Sequence, residues 1–315
     1  MSTEPTFSLE VPEGEIGVHD LSGGPVADDA PTVLLVHGIT ANGLSWTRVA
    51  DELVRRHGPG SLRVLAPDLR GRASSAGAGA PYGLAAHAED LVGIASAFAV
   101  TPVLVGHSMG GFVAALAAAR HPERFSGVVL VDGGLAFPPP PELDIDAALT
   151  ATIGPAMQRL SMRFGSPEEY LAFWDAHPAL GPVLRGPAGD AARRYVLHDL
   201  VPADGGAGDG GGWRSSCVLD AVRADGADVL ADPETHAGAR RAVLEHGLPV
   251  ELVWAHRGLM DEPQGLYDPQ RIAALDLPAA LRTTEVDANH YSVVLEEPGV
   301  GAVVDAVERM LPAAR

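Results

Sequence analysis

The sequence predicts an α/β protein in which a mostly parallel sheet carries helices on both faces. Three observations support this fold class. Short apolar runs rich in Val and Leu alternate with helical stretches up to about residue 131, a long segment without a sheet pattern follows, and strand character returns near residue 250. Repeated strand–helix units are typical of parallel sheets, because each crossover places its helix on one face of the sheet.

Each predicted element has a pattern of its own. Residues 6–19 alternate apolar and polar side chains with a period of two, which indicates one or two antiparallel strands at a sheet edge. Continuous apolar runs are typical of strands buried on both faces. The remaining predicted strands are residues 32–36, 63–66, 102–105, 127–131, 250–255 and 281–286. The predicted helices of the sheet region are residues 44–56, 84–99, 109–120 and 299–311.

The sheet pattern is interrupted by one long insertion. Four prolines at residues 138–141 form a stiff exit from the sheet, and helical fragments follow them. Residues 204–212 form a glycine-rich tract without an apolar period, which predicts a mobile loop. We therefore expect residues 1–135 and 248–315 to form the core of the protein, and residues 136–247 to form a mainly helical cap.

Composition and charge exclude several function classes. The chain has 22 basic and 41 acidic residues, a net charge of −19, and every basic residue is Arg. The absence of Lys excludes a Schiff-base or phosphate-loop lysine, and a strongly acidic surface repels nucleic acid. The single cysteine, Cys217, can form neither an internal disulfide nor a multi-thiolate metal site. We expect no cofactor and no metal.

The sequence also bears on location and partners. It has no apolar stretch of about 18 residues, and residues 1–5 lack the basic start and apolar segment of a secretory signal. With 46% hydrophobic and 20% charged residues, the composition is that of a globular protein. We expect a cytoplasmic protein whose partner is a small apolar molecule, with neither nucleic acid nor a membrane as a partner. These features do not specify an oligomeric state.

The segment Gly-His-Ser-Met-Gly, residues 106–110, lies between a predicted strand and a predicted helix. A serine on so sharp a turn has a strained backbone that exposes its hydroxyl, and the flanking glycines avoid collisions within the turn. The helix that follows directs its first N–H groups and its positive dipole end towards the same point. Ser108 is therefore the predicted nucleophile.

Four motifs in this order make the chain similar to the α/β-hydrolase family, over nearly its whole length outside the insertion. They are Val-His-Gly-Ile at residues 36–39, Pro-Asp-Leu-Arg-Gly-Arg at 67–72, the serine turn at 106–111 and Asn-His-Tyr at 289–291. The resemblance implies an eight-stranded, mostly parallel sheet and a Ser–His–acid triad, often with a cap at the position of the insertion.

A serine nucleophile needs a base and an acid that orients the base. His290 follows the last predicted strand, which is the family's histidine position, so the resemblance implies that it is the base. Two aspartates fit the acid. Asp261 follows the strand after which the family most often places it, although later than usual, whereas Asp132 ends the preceding strand, a position that some relatives use. We favour Asp261 and keep Asp132 as the alternative.

The resemblance further implies an oxyanion hole made by the backbone N–H groups of Ile39 and Met109. Asp68, Arg70 and Arg72 are expected to fix their own loop. We expect a serine hydrolase that cleaves a carboxylic ester, lactone or thioester of an apolar molecule through an acyl-enzyme. Carbon–carbon bond hydrolysis, cofactor-free peroxidation and non-catalytic binding of a small molecule remain alternatives.

Overall fold

The computed structural model describes residues 4–137, 144–203 and 212–312. The proline run at 138–141 and residues 204–211 of the glycine-rich tract lie outside these described residues. The strands are β1 (Phe7–Val11), β2 (Gly14–Asp20), β3 (Thr32–Val36), β4 (Arg63–Pro67), β5 (Val103–His107), β6 (Gly127–Val131), β7 (Leu200–Pro202), β8 (Trp213–Ser215), β9 (Val250–Ala255) and β10 (Arg282–Val286).

The α-helices separate the strands singly from β3 to β6 and follow one another between β6 and β7 and between β8 and β9. They are α1 (Thr47–His57), α2 (Leu84–Ser96), α3 (Met109–Arg120), α4 (Ile145–Gln158), α5 (Pro167–Asp175), α6 (Leu180–Arg185), α7 (Gly189–His198), α8 (Leu219–Ala231), α9 (Pro233–Leu244), α10 (Pro269–Ala274), α11 (Ser292–Leu295) and α12 (Gly299–Met310). Within the described part of the chain, no helix combines the length and apolar character needed to cross a membrane.

Eight strands form one sheet in the order β1-β2-β4-β3-β5-β6-β9-β10. The strands from β4 to β10 in this order run parallel, whereas β1 pairs with β2, and β2 with β4, in antiparallel fashion. The predicted fold class and the predicted antiparallel edge are therefore confirmed. Every residue of β3, β5 and β6 is buried, as expected of strands covered on both faces.

The sheet separates two apolar layers. Successive side chains of a strand point to opposite faces, and in β3 Leu34 and Val36 join one buried cluster while Val33 and Leu35 join the other. The first cluster includes residues of α2, α3 and α9, and the second includes residues of α1, α11 and α12. Because the strands from β4 to β10 in the sheet order are parallel, their carboxyl ends lie at the same edge of this core.

Most of the described residues of the predicted insertion are helical, and β7 and β8 form a short antiparallel pair. Four of its aromatic rings, those of Phe164, Tyr170, Phe173 and Trp174, contact one another edge to face. They belong to or pack against the second buried cluster, which also contains core residues of β3 and α1. The last helix of the insertion, α9, is different, because it packs on α3 in the layer that covers the sheet. The segment 136–247 thus ends in a helix that belongs to the core layers.

Candidate active site

Ser108 lies on the turn between β5 and α3, with a φ of 56° and a ψ of −124°. The neighbouring glycines are required by close backbone contacts. A Cβ atom on Gly106 would lie 2.0 Å from the carbonyl oxygen of Gly110, and one on Gly110 would lie 2.2 Å from the carbonyl oxygen of Val36. The turn therefore has the tight, strained form expected of a strand-to-helix elbow, and it presents Ser108 at the carboxyl edge of the sheet.

The two predicted residues of the oxyanion hole lie beside this serine. Met109 is the first residue of α3, and its amide belongs to the amino-terminal turn of that helix. A Cβ atom on Gly38 would lie 3.1 Å from the Cβ atom of Ser108, so the chain passes close to the nucleophile just before Ile39. Ile39 and Met109 line the same cavity as Ser108.

Two buried arginines hold the loop of residues 37–41, which we call the oxyanion loop. Arg72 donates to the carbonyl oxygen of Ile39 from Nε at 2.9 Å and from Nη2 at 2.8 Å. Arg159, from the insertion, donates to the carbonyl oxygen of Thr40 at 2.7 Å. Arg72 also pairs with buried Asp225 at 2.6 Å. Arg72 was expected to fix its own loop, and it donates to the carbonyl oxygen of Arg70 there at 2.8 Å. Its bonds to the oxyanion loop, like those of Arg159, were not indicated by any sequence signal.

His290 pairs with Asp132. The distance between Nδ1 of His290 and Oδ2 of Asp132 is 2.6 Å, and both side chains are buried. Oδ1 of Asp132 accepts the backbone N–H of Ala255 at 3.1 Å, which fixes the carboxylate between β6 and β9. Nε2 of His107 lies 2.8 Å from the carbonyl oxygen of His290, and burial holds the pKa of His107 well below its usual range. A neutral His107 thus supports the backbone of the histidine loop.

The preference for Asp261 as the partner of His290 is corrected by these contacts. The carboxylate of Asp261 accepts hydrogen bonds from Arg257 at 2.9 Å and from Asn289 at 3.0 Å, and its side chain is 42% exposed. It lies six residues beyond the end of β9, and the intervening loop carries it to the surface. Asp132 directly follows β6, so its carboxylate remains at the sheet edge.

One cluster outside this site has the composition of a metal site. The candidate ligand atoms of His19, Asp68 and His198 lie within 4.8 Å of one another. Oδ2 of Asp68 is 3.2 Å from the His19 ring and 2.8 Å from the His198 ring, and Oδ1 accepts the N–H of Gly43 at 2.7 Å. Burial alone would raise the pKa of Asp68, but the two histidines hold it well below its usual range. These bonds join the core to α7 of the insertion.

Two cavities meet at Ser108. The smaller has a volume of about 40 Å³ and is lined by His290. The larger has a volume of about 300 Å³ and is lined by Met109 and by mostly apolar side chains. Ile39, Ser108 and Ile153 line both cavities. The predicted nucleophile, base and oxyanion residues therefore come together at one point, with space on either side of it.

Comparisons with known proteins agree with this architecture. Residues 31–297 match the family model described as alpha/beta hydrolase fold. The lipase LipV of Mycobacterium tuberculosis is 36% identical over 106 residues, which are 33% of this chain and 38% of that protein. A 2-hydroxymuconate semialdehyde hydrolase of a Pseudomonas species is 35% identical over 113 residues, which are 34% of this chain and 38% of that protein.

The similarity to a solved structure extends further along the chain. The thioesterase domain from the curacin biosynthetic pathway superposes with a TM-score of 0.68 at 18% identity, covering 96% of this chain and 98% of that domain. The matches to the two curated relatives cover well under half of either protein. The family model, by contrast, spans most of the sheet together with the insertion. The chain therefore belongs to the α/β-hydrolase family.

Proposed function

We propose that this protein is a serine hydrolase that cleaves a carboxylic ester, lactone or thioester of an apolar small molecule. The observation that carries the proposal is the convergence at Ser108. A half-buried serine on a strained elbow shares a cavity with His290, which is hydrogen-bonded to buried Asp132. The amides of Ile39 and Met109 belong to residues that line the space beside the same serine.

The proposed mechanism follows from these positions. The Nδ1–H group of His290 donates a hydrogen bond to Asp132, which leaves Nε2 free to take the proton of Ser108 as the serine oxygen attacks the carbonyl carbon. The oxyanion that forms is stabilised by the N–H groups of Ile39 and Met109. The imidazolium then returns its proton to the leaving oxygen or sulfur, which leaves an acyl-enzyme. Water, activated by His290, hydrolyses the acyl-enzyme and restores the serine.

Carbon–carbon bond hydrolysis is a second candidate. One curated relative that matches at 35% identity is a 2-hydroxymuconate semialdehyde hydrolase, nearly as similar over its matched residues as the lipase at 36%. A nucleophilic serine, a histidine base and an oxyanion hole would serve either reaction, because both require attack on a carbonyl carbon. A panel of methyl esters, a lactone and a thioester, assayed beside 2-hydroxymuconate semialdehyde, separates the two candidates by kcat/KM.

The nucleophile can be tested without knowing the substrate. We expect a fluorophosphonate probe to label the wild-type protein once, on the peptide that contains Ser108, because an activated serine attacks the phosphorus atom. Ser108→Ala should abolish labelling and reduce hydrolysis of any substrate found by at least about 1,000-fold. Ser45→Ala, which alters another serine of the small cavity, is the control and should label normally.

Labelling is read by intact mass and peptide mapping, with circular dichroism to check that each variant folds. Covalent modification that persists in Ser108→Ala would overturn the assignment of the nucleophile. A wild-type protein that is folded and unlabelled would overturn the proposed serine mechanism as a whole.

A further inference from the structure

We propose that the two cavities orient the substrate, with a long apolar acyl group in the larger cavity and a small leaving group in the smaller one. The cavities have volumes of about 300 and 40 Å³. The preferred substrates are then esters of an apolar acid with an alcohol of one or two carbons. This inference rests on the proposed serine mechanism, and it specifies the substrate class that the mechanism serves.

The position of His290 determines which cavity receives the leaving group. When the tetrahedral intermediate collapses, the imidazolium donates its proton to the leaving oxygen, so that oxygen must face the imidazole. His290 lines the smaller cavity. The larger cavity lies on the side of Met109, Asp132 and Gly133. The leaving group therefore enters the smaller cavity, and the substituent on the acyl carbon points into the larger one.

The sizes of the two spaces are very different. A cavity needs about 10–15 Å³ to hold one water molecule, so 40 Å³ is room for a few small atoms. Cavities that bind small molecules have volumes of about 300 Å³ or more, and the larger cavity has about that volume. The smaller cavity has little freedom to widen, because its walls Val294 and Leu295 are 2% and 1% exposed and pack within the core.

The larger cavity has the chemistry of a hydrocarbon site. Its apolar walls come from α3, α4, α8 and the segments after β6 and β9, and include Phe112, Leu135, Leu149, Val229, Leu230 and Leu266. Its polar groups are engaged elsewhere. The Tyr267 hydroxyl lies 2.8 Å from the carbonyl oxygen of Leu135, and the Arg271 guanidinium stacks on Phe137 at 4.1 Å. Arg271 also donates to the carbonyl oxygen of Leu266 at 2.7 Å. Because these polar groups already have partners, an apolar acyl chain can fill the space without taking a partner from them.

A side chain of α4 helps to divide the two spaces. Ile153 lies at a break in the helix, with a φ of −116° and a ψ of 16°, two residues before Pro155. Proline lacks an N–H group and disrupts the preceding helical turn. Ile153 and Ile39 both line the two cavities. The broken turn thus puts an apolar side chain at the boundary, opposite the oxyanion loop.

A pair of constitutional isomers tests the orientation directly. Methyl octanoate and heptyl acetate have the same atoms and nearly the same hydrophobicity, but their long chains lie on opposite sides of the ester. We expect kcat/KM for methyl octanoate to exceed that for heptyl acetate by at least about 10-fold, the scale on which a pocket discriminates methylene groups. The measurement is titration of the released acid at constant pH, below the solubility limit of either ester.

Two matched variants test the larger cavity. Leu230→Trp should reduce kcat/KM for methyl octanoate by about 10-fold and kcat/KM for methyl acetate by much less, because Leu230 lines the larger cavity and not the smaller one. Leu244→Trp adds the same ring at a side chain of α9 that is 57% exposed, and both esters should be unaffected. Circular dichroism and thermal unfolding establish that both variants fold.

The outcomes separate this inference from the proposed function. If the fluorophosphonate probe labels Ser108 and heptyl acetate is cleaved as well as or better than methyl octanoate, the orientation is overturned and the serine mechanism stands. Failure of labelled protein to cleave either ester also overturns the proposed substrate class. Equal losses on methyl octanoate and methyl acetate in Leu230→Trp would contradict the assignment of the acyl site. Absence of labelling would instead count against the serine mechanism.

Discussion

Two residues of the candidate site have an unusual backbone. Ser108 and Asp132 follow the neighbouring strands β5 and β6, and their φ angles are 56° and 44°. A non-glycine residue in such a conformation costs on the order of 1–3 kcal/mol and persists only where the surrounding packing imposes it. Here Asp132 pairs with His290, and His290 lines the same cavity as Ser108. The strain therefore has a chemical purpose under the proposed mechanism.

The acid of the proposed triad can be tested at single-residue resolution. We expect Asp132→Asn to lower kcat by about 10,000-fold with little change in KM, because an amide in this position favours the wrong tautomer of His290. Asp261→Asn should change kcat by less than about threefold, since that carboxylate bonds Arg257 and Asn289 at a partly exposed position. Initial rates with the best ester of the panel provide the comparison.

The two aspartate variants control for each other, because both alter an aspartate with a positive φ. A larger loss of kcat in Asp261→Asn than in Asp132→Asn would return the acid to the loop after β9. Fluorophosphonate labelling should slow in parallel with kcat in Asp132→Asn, which tests the effect on the nucleophile independently of any ester.

At the scale of elements, the strands of the sheet could be predicted from the sequence, whereas the acid of the proposed triad could not. Buried parallel strands are continuous apolar runs, so β3, β5, β6 and β9 could be recognised locally, and the serine turn followed from its flanks. Both Asp132 and Asp261 satisfy the order Ser, acid, His. Their separation from the imidazole depends on how the loop after β9 folds, which is a tertiary property. The distance of Asp261 from the end of its strand was the one local signal against it.

The local sequence pattern also could not show that the last helix of the insertion, α9, packs with the core layers. Helix α9 follows the cap helices without a break in composition, yet it packs on α3. What distinguishes it is Gly238, where a Cβ atom would lie 3.0 Å from the backbone of Ala115 and Leu116. A glycine within a helix normally costs stability, and here it permits close approach of two helices. The structural role of Gly238 can be recognised only when the helix that lies opposite it is known.

This contact predicts a local difference in tolerance to substitution. Gly238→Leu should lower the free energy of unfolding by about 1–3 kcal/mol, because the side chain must push α9 away from α3. Gly154→Leu is the comparison within α4, where an added Cβ meets nothing within 4 Å, and should cost less stability than Gly238→Leu. Urea unfolding followed by circular dichroism gives both values. Equal destabilisation of the two variants would contradict the assignment of α9 to the core layers.

At the scale of the whole molecule, buried polar bridges couple the insertion to the core. Arg72 of the core pairs with Asp225 of α8 at 2.6 Å, and His198 of α7 lies 2.8 Å from Asp68 of the core. Breaking a buried pair by removing one partner costs about 3–5 kcal/mol. The insertion therefore cannot separate from the core without a large penalty. We expect the described parts of the chain to unfold in one transition.

Acid should lower the free energy of unfolding through buried histidines, at pH values above those at which the carboxylates titrate. His177 is 5% exposed, and its Nδ1 atom lies 3.3 Å from the N–H groups of both Ala179 and Leu180, at the start of α6. Accepting these bonds requires an unprotonated Nδ1. Burial lowers the pKa of His177 from 6.5 to about 4. Between these two values the unfolded chain binds a proton that the folded protein does not, so stability falls as the pH falls.

The last prediction isolates this residue. Between its unfolded and folded pKa values, each such group lowers the free energy of unfolding by about 1.4 kcal/mol per pH unit. His177 should therefore lower the free energy of unfolding by about 2 kcal/mol between pH 7.5 and pH 5. His177→Asn keeps an acceptor and cannot titrate, so its loss over the same interval should be smaller by about that amount. His256→Asn, at a side chain that is 55% exposed, is the control and should follow the wild type. Urea unfolding at both pH values in high salt, which screens the net charge of −19, gives the comparison. If the free energy of unfolding falls as much between pH 7.5 and pH 5 in His177→Asn as in the wild type, α6 does not depend on a neutral imidazole at this position.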